Sequence, residues 1–252
     1  MLRFEEIAFG PIHSRRLGSS LGVNLLPVKG KLCNFDCIYC ECGWNKDGRQ
    51  DTVLPSAKQV SEALEAKLTS CLNEGIQIDS ITFSGNGEPT LHPEFPQIVD
   101  QTIFLRNKYY PAAKISVLSN ATMLYRDEVV EALRKTDNPI LKIDASSTAG
   151  VNLVNKPSGK YELSQVIDNL KSFDGDFILQ TMFLRSPFFD SSSEENLKAW
   201  IDIVRELRPR EVMVYTLDRE TPDKSLEKFT VQQMETMTKV LVDEGFCIQI
   251  RG

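Results

Sequence analysis

Four of the six cysteines in this 252-residue chain lie within ten residues of one another. Cys33, Cys37 and Cys40 form a C-x3-C-x2-C array, and Cys42 follows two residues later. This clustering does not suit a disulfide framework in a chain of this length, and in a reducing compartment it indicates metal or redox ligands. Four thiolates could complete a zinc tetrahedron or an iron–sulfur cube. Three would leave one metal position open for a substrate or cofactor.

A second segment whose residues could take part in chemistry is GNGEP, which directly follows the strand-like run DSITFS. Its residues are Gly85, Asn86, Gly87, Glu88 and Pro89. The glycine turn and the carboxylate of Glu88 could contact a ligand. The structural alternative is a strand-to-helix turn in which the proline opens a helix.

Polar side chains also occur at or near the ends of later strand-like runs. Ser119 and Asn120 end the third run, where they would either contact a ligand or form a turn. In LKIDAS, the period-2 rule places Lys142 and Asp144 on one face, where burial is costly unless they pair or bind a ligand. We therefore consider both a structural ion pair and a role for the lysine in handling a substrate carboxylate or carbonyl group. Gln180 lies within the apolar run FILQTMFL, so its amide needs hydrogen-bond partners, which a bound cofactor or a neighbouring strand end could supply.

Strand-like and helix-like patterns alternate along the whole chain. Strands are predicted at 22–28, 80–84, 114–119, 140–145, 177–184, 211–218 and 246–250. Strands that alternate with single helices indicate parallel pairing, because each crossover needs a dozen or more residues. The pattern predicts one domain over 1–252 that folds as α/β, in a partial (β/α)6 barrel. The unusual residues all follow strands, at the edge of such a fold where working groups collect.

The composition excludes several protein classes. The chain has 29 Lys+Arg and 35 Asp+Glu, a net charge of −6, and 41% hydrophobic residues, which is ordinary for a globular protein. No apolar run approaches the roughly 20 residues that a membrane span needs. Two glutamates in the first ten residues do not fit a secretory signal. We expect a cytoplasmic protein with no membrane association, and the acidic balance argues against a broad nucleic-acid surface.

The cysteine loop 33–40, with Tyr39 before its last cysteine, resembles the signature of the radical S-adenosylmethionine (SAM) superfamily. The resemblance implies that Cys33, Cys37 and Cys40 bind three irons of a [4Fe–4S] cluster, while SAM chelates the fourth iron. One electron would cleave SAM to methionine and a 5′-deoxyadenosyl radical, which takes hydrogen from a substrate. It also places Tyr39 beside the adenine.

The resemblance covers more of the family's SAM site. GNGEP looks like the family's GGEP motif, which contacts the SAM amino group. By the same resemblance, Ser119 and Asn120 contact the SAM ribose or methionine carboxylate. Tyr215 and Leu217 match the region that closes over the adenine.

Five further blocks resemble a subgroup of radical SAM proteins that is related to the tRNA wyosine-base synthase. They are SRRLGSSLGVNLLP, SGNGEPTLHPEF, VLSNATML, LKIDAS and VMVYTLDR. The wyosine synthases carry additional cysteines ahead of the radical SAM loop, and here none precedes Cys33. We therefore expect the radical chemistry, with tRNA a possible but not favoured substrate.

A radical SAM enzyme, as the resemblance implies, would require an external one-electron donor such as flavodoxin or ferredoxin. Its substrate would be a small molecule, a nucleotide or a peptide. Arg15, Arg16, Lys29 and Lys31 could form a basic rim for an acidic donor or substrate, or simply a solvated surface. Cys42 is either a redox group or hydrogen-atom donor near the cluster, or incidental. Two alternatives remain open: an activating enzyme that installs a glycyl radical on a partner protein, and a non-catalytic iron–sulfur or zinc scaffold or electron-transfer protein.

Overall fold

The structure is a computed structural model that describes residues 4–14, 16–48 and 50–252. Its strands are β1 (Ala8–Ser14), β2 (Gly18–Val23), β3 (Ser80–Phe83), β4 (Lys114–Ser119), β5 (Asn138–Lys142), β6 (Ile178–Met182), β7 (Leu184–Ser186), β8 (Phe189–Asp190), β9 (Glu211–Tyr215), β10 (Glu227–Lys228) and β11 (Ile248–Arg251). Its α-helices are α1 (Ala57–Asn73), α2 (Phe95–Tyr109), α3 (Asp127–Arg134), α4 (Thr148–Val154), α5 (Leu163–Lys171), α6 (Glu194–Leu207) and α7 (Val231–Asp243).

Eight of these strands form one sheet in the order β1-β2-β3-β4-β5-β6-β9-β11. Each neighbouring pair from β2 to β11 is parallel, and only β1 pairs antiparallel to its neighbour. Between each of the six strands β2, β3, β4, β5, β6 and β9 and the next strand of this sheet, the chain forms at least one α-helix, which gives six strand–helix units before β11. The predicted partial (β/α)6 barrel is confirmed.

The two faces of the sheet carry different side chains, as the period-2 rule requires. Leu21, Ile81 and Phe83 are fully buried in the same apolar cluster as Leu64 of α1 and Ile98 of α2. The opposite face is polar at its base: the Ser20 and Thr82 hydroxyls lie 2.8 Å apart, and those of Ser80 and Ser116 lie 2.9 Å apart. The helices therefore cover an apolar outer face, while the inner face leaves a polar lumen.

The structure differs from the predicted elements at several boundaries. The first predicted strand, 22–28, is found earlier as β2, because Asn24 Oδ1 accepts from Leu26 N at 3.2 Å and turns the chain after Val23. The hairpin partner β1 was not predicted. The run 177–184 is divided between β6 and β7, and β7 joins β8 and β10 in a small separate sheet. In the ranges described above, no helix combines the length and apolar character needed to cross a membrane.

Candidate functional site

The carboxyl ends of the strands surround a cavity that brings most of the predicted site residues together. Its lining consists of Lys31, Cys33, Phe35, Cys37, Tyr39, Cys40, Cys42, Gly85, Gly87, Glu88, Leu118, Ser119, Asn120, Lys142, Gln180 and Tyr215. Four predicted cofactor-binding residues do not line it: Asn86, Pro89, Asp144 and Leu217.

Backbone contacts hold the cysteine loop on two sides. Leu32 N donates to Asn86 O at 2.9 Å, and Glu88 N donates back to Leu32 O at 3.1 Å, so the loop is paired with the 85–89 segment. On the other side, Asp36 N donates to Asn155 O at 2.8 Å, just beyond the last residue of α4. These bonds fix the loop before any ligand binds, which favours a preorganised site.

The loop sulfurs accept hydrogen bonds from nitrogen donors. Cys37 Sγ lies 3.3 Å from Asn155 Nδ2 and 3.4 Å from Lys142 Nζ. Cys33 Sγ lies 3.4 Å from the backbone N of Phe35, and Asn120 Nδ2 lies further off at 3.9 Å. Thiolates that ligate a metal carry negative charge and need such donors around them.

The thiols have very different acidities. Burial raises the pKa of Cys33 to about 12 and also raises that of Cys37. A hydrogen bond from the Cys42 thiol, with help from the Lys31 ammonium, lowers the pKa of Cys40 to about 5. The Cys42 sulfur also lies 3.4 Å from Gly85 O, so this thiol is placed between the cysteine loop and the 85–89 segment.

Lys31 belongs to the site and not to a basic rim. It is 5% exposed, and its Nζ donates to Gly43 O at 2.6 Å and lies 3.5 Å from Asp36 Oδ1. Burial alone would lower its pKa, but the neighbouring cysteines, Cys40 first, reverse the effect and the pKa is raised. The expectation of an exposed basic patch was wrong at this residue. Arg15 lies outside the described residues.

A second charged group lies beneath the cavity, centred on Asp144. Its Oδ2 accepts from Tyr39 Oη and from Asn155 Nδ2 (2.6 Å), and Lys142 Nζ is 3.3 Å away. Its Oδ1 accepts from Met182 N at 3.0 Å. Asp144 is thus occupied by protein donors and reaches the cavity only through the residues it holds.

The 85–89 segment is shaped by its glycines. Gly85 and Gly87 have φ values of +145° and +141°, a region that side chains rarely adopt. A Cβ on Gly87 would lie 1.8 Å from Leu32 O, so only glycine permits the close pairing with the cysteine loop. Asn86 points elsewhere: its Nδ2 donates to Phe4 O at 2.8 Å and to Pro27 O at 2.9 Å.

Glu88 connects this segment to the end of β4. Its Oε1 accepts from Ser119 Oγ at 2.8 Å and from both the backbone N and the hydroxyl of Thr90, while Oε2 accepts from Asn120 N at 2.6 Å. Burial raises the pKa of Glu88, against hydrogen bonds that lower it. Pro89 begins a short 3-10 helix, Pro89–Leu91, so its role in the structure is that of a helix start.

The opposite wall contains Gln180 and Tyr215. Gln180 is 6% exposed, and its Nε2 has no hydrogen-bond partner among the described residues. Arg16 lies over the ring of Tyr215, 4.8 Å from the centroid. Leu217 lines a smaller neighbouring cavity, together with Tyr39 and Tyr215.

Sequence reasoning missed Asn155, Asn24 and the buried position of Lys31. Asn155 directly follows α4, where an asparagine is ordinarily interpreted as a helix end, so no sequence signal separates its role from that of a cap. Asn24 is fully buried, and its Oδ1 accepts from Asn86 N at 3.1 Å. It therefore positions the 85–89 segment from a site more than 60 residues away along the chain.

The donors of the cavity can be compared with what a metal centre needs. Within the described part of the chain, no group of three or more His, Cys, Asp or Glu side chains is close enough to hold one metal ion. The three loop thiols line one cavity, with the buried Lys31 and the half-buried Lys142 beside them. An iron–sulfur cluster takes thiolate ligands, so these three donors fit it.

Comparison with known proteins agrees with the geometry. The family model of the radical SAM superfamily matches residues 28–178. A UPF0026 protein of Helicobacter pylori is 30% identical over 250 residues, which cover 97% of this chain and 76% of that relative.

Two solved structures are similar in fold. A radical SAM methyltransferase from Sphaerobacter thermophilus has a TM-score of 0.69 at 15% identity, covering 92% of this chain and 65% of that one. Streptococcus suis SuiB, bound to its precursor peptide SuiA, has a TM-score of 0.66 at 16% identity, covering 92% and 48%. The chain thus spans about two thirds and about half of these structures, which at such identities support the fold. Because the family model covers more than half of the chain, including the cysteine loop and the 85–89 segment, the protein belongs to the radical SAM superfamily and is an enzyme that uses S-adenosylmethionine and an iron–sulfur cluster.

Proposed function

We propose that Cys33, Cys37 and Cys40 bind three irons of a [4Fe–4S] cluster whose fourth iron is chelated by SAM, and that the enzyme abstracts hydrogen from its substrate. The observation that carries this proposal is that the three thiols and the 85–89 segment line one cavity. When reduced, such a cluster supplies the electron that cleaves SAM to methionine and a 5′-deoxyadenosyl radical.

Two lysines, Lys31 buried and Lys142 half-buried, support an anionic centre at this position. Both line the cavity; the pKa of Lys31 is raised by Cys40 first, and that of Lys142 by the Asp144 carboxylate first and then by Cys37, in each case against burial. In the low-dielectric interior, these ammonium groups offset the negative charge that three thiolates would bring. Zinc held by the same loop with Cys42 as the fourth ligand is the competing occupant.

Several groups of the cavity remain available for SAM. The unpartnered Nε2 of Gln180 would donate to a SAM oxygen atom, and the glycine-lined segment would present backbone groups to the methionine moiety. Glu88 Oε1 already accepts three hydrogen bonds, whereas Oε2 accepts one, so a SAM ammonium would bind Oε2. The hydroxyl of Tyr39 is held by Asp144 and Lys142, which orients its ring for contact with the adenine.

The hydrogen-bond donors of Lys142 are less available to a substrate than the sequence predicted. Its ammonium has three donors, and three acceptors already surround it: Tyr39 Oη at 2.8 Å, Asp144 Oδ2 at 3.3 Å and Cys37 Sγ at 3.4 Å. We therefore propose that Lys142 acts on the cluster side of the cavity and does not handle a substrate carbonyl group.

The substrate would reach the cavity from the lumen. A second cavity shares Leu118 with the first and is lined by charged groups that include Arg16, Glu41 and Arg219. We propose only that the chain is related to the subgroup of the wyosine-base synthases. The matched Helicobacter pylori relative is named UPF0026. The chemistry of the substrate is left open among small molecules, nucleotides and peptides.

We propose that the electron comes from an external donor such as flavodoxin or ferredoxin, and that the enzyme works in the reducing cytoplasm. Cys71 and Cys247, the two cysteines outside the 33–42 cluster, do not form a second cluster site, because Cys71 is buried on α1 and Cys247 is exposed next to β11. All six cysteines are free thiols.

The test is anaerobic cluster reconstitution, with iron and sulfide analysis, followed by a dithionite-driven assay for 5′-deoxyadenosine. The wild type should bind four irons and release 5′-deoxyadenosine from SAM, whereas Cys37→Ala should do neither. Cys247→Ala, which removes an exposed cysteine, is the matched control and should behave as the wild type. Stoichiometric zinc without an iron cluster, or full cleavage activity in Cys37→Ala, would refute the proposal. Cleavage that occurs only with a partner protein, which then carries a glycyl radical, would identify an activating enzyme.

A further inference from the structure

We propose that Asn155, together with Lys142, is a positioning residue that raises the reduction potential of the cluster by donating hydrogen bonds to the sulfur of Cys37. This inference rests on the proposed function, in which Cys37 is a cluster ligand. It adds a residue that neither the cysteine motif nor the 85–89 segment contains.

The position of the Asn155 amide is determined by its neighbours. The residue is 1% exposed, and its Nδ2 donates to Asp144 Oδ2 at 2.6 Å and lies 3.3 Å from Cys37 Sγ. A carboxylate and a thiolate are both acceptors, so the NH2 end of the amide, and not its oxygen, must face them. The backbone carbonyl of the same residue accepts from Asp36 N at 2.8 Å, which fixes its distance from the cysteine loop.

Lys142 approaches the same sulfur from strand β5. Its Nζ is 3.4 Å from Cys37 Sγ and 3.3 Å from Asp144 Oδ2, so the aspartate holds both donors in place. Cys37 therefore receives two side-chain nitrogen donors, one of them cationic. Cys33 has a backbone donor at 3.4 Å and only a distant amide at 3.9 Å. Of these two ligands, Cys37 therefore has the closer side-chain nitrogen donors.

Reduction adds an electron to the cluster and increases the negative charge on its sulfur ligands. Hydrogen bonds and nearby positive charge stabilise the reduced form more than the oxidised form, so they raise the potential. Asn155 is buried and only 14% of the Lys142 side chain is exposed, so solvent screens these donors poorly. Removal of either donor should make the potential more negative and reduction by a protein donor harder.

The experiment compares Asn155→Leu with Asn45→Leu in anaerobically reconstituted protein without SAM. Leucine removes both polar ends of the Asn155 amide at similar volume. Asn45 is a matched control because its Nδ2 also holds the cysteine loop, but it donates to carbonyl oxygens, Cys33 O at 3.0 Å and Phe35 O at 2.9 Å. The readout is the midpoint potential of the bound cluster, measured by EPR on samples poised at defined potentials.

The proposal expects a more negative midpoint in Asn155→Leu and a wild-type midpoint in Asn45→Leu. A purely structural role would lower the cluster content of both variants without shifting the midpoint of the clusters that remain, and that result would overturn the inference. If Asn155→Leu binds no iron, the midpoint potential of the cluster is measured in Lys142→Met instead. A midpoint more negative than that of the wild type supports the proposal, and an unchanged midpoint overturns it. Failure of the proposed function is seen separately, as a wild type that shows no reducible four-iron cluster.

Discussion

Replacement of Gln180 by methionine should have opposite effects on SAM binding and on fold stability. The amide lies on β6, is 6% exposed and lines the cavity, and its Nε2 has no hydrogen-bond partner among the described residues. Methionine keeps the length and most of the volume of the side chain but removes the donor. The substitution therefore separates what the amide contributes to a ligand from what it costs the unliganded protein.

The magnitudes follow from the burial of that donor. An unsatisfied buried polar group costs about 1–3 kcal/mol, so Gln180→Met should stabilise the SAM-free protein by up to roughly that amount. In the complex, a neutral hydrogen bond contributes a net of about 0.5–1.5 kcal/mol, and SAM would also relieve the cost of the unsatisfied donor, so the Kd for SAM should be at least about 2- to 13-fold higher in the variant.

The assays are equilibrium dialysis of SAM against reconstituted enzyme and urea unfolding of the SAM-free protein, both without oxygen. Gln249→Met is the matched control, because the buried Oε1 of Gln249 also lacks a partner among the described residues but does not line the cavity. It should shift the urea midpoint without changing SAM affinity. An unchanged SAM Kd together with a less stable Gln180→Met would show that the amide serves the fold, and the reasoning would be refuted.

Two further predictions concern the cysteine loop and its glycine neighbour. Before cluster insertion, Cys40 should react with iodoacetamide at pH 7 and Cys33 should not, because only the thiolate reacts and their pKa values are about 5 and about 12. Between pH 7 and pH 10 the rate at Cys40 should stay constant while that at Cys33 rises, as mass spectrometry of the alkylated peptides would show; faster labelling of Cys33 at pH 7 would contradict the assignment. Gly87→Ala should destabilise the protein by more than about 3 kcal/mol, since the new Cβ would lie 1.8 Å from Leu32 O. Gly159→Ala meets nothing within 4 Å, so its urea midpoint should stay within error of the wild type, and equal midpoints for the two variants would argue against the close approach.

The fold and the chemistry were predictable where the signal is local. Strand and helix periods gave the strand–helix alternation, and from it the partial barrel, because a period depends only on neighbouring residues. The C-x3-C-x2-C spacing and GNGEP likewise depend on short stretches of chain. Prediction was weaker at β1, β7, β8 and β10, which are short or lack an alternating apolar pattern and are held by pairing with distant partners.

The candidate site shows the same division between local and distant information. Lys31 was expected on the surface with Arg15, Arg16 and Lys29, yet it is buried against Gly43 O. Asn86 was expected at the ligand because it lies inside the motif, yet its side chain holds Phe4 and Pro27. In both cases, the direction of one side chain depends on segments that arrive from elsewhere in the fold.

By itself, the sequence determined the class of the protein. It showed three thiols on one loop and a glycine turn after the next strand. The alternation of strands and helices placed both at one edge of a parallel sheet. Only the tertiary structure decided which donors serve which sulfur. Lys142 and Asn155 lie 105 and 118 residues from Cys37 along the chain, and both reach its sulfur. The physical reason is that the period of a strand or helix fixes the face on which each side chain lies. The partner that a side chain meets across the cavity depends instead on how the strands curl together.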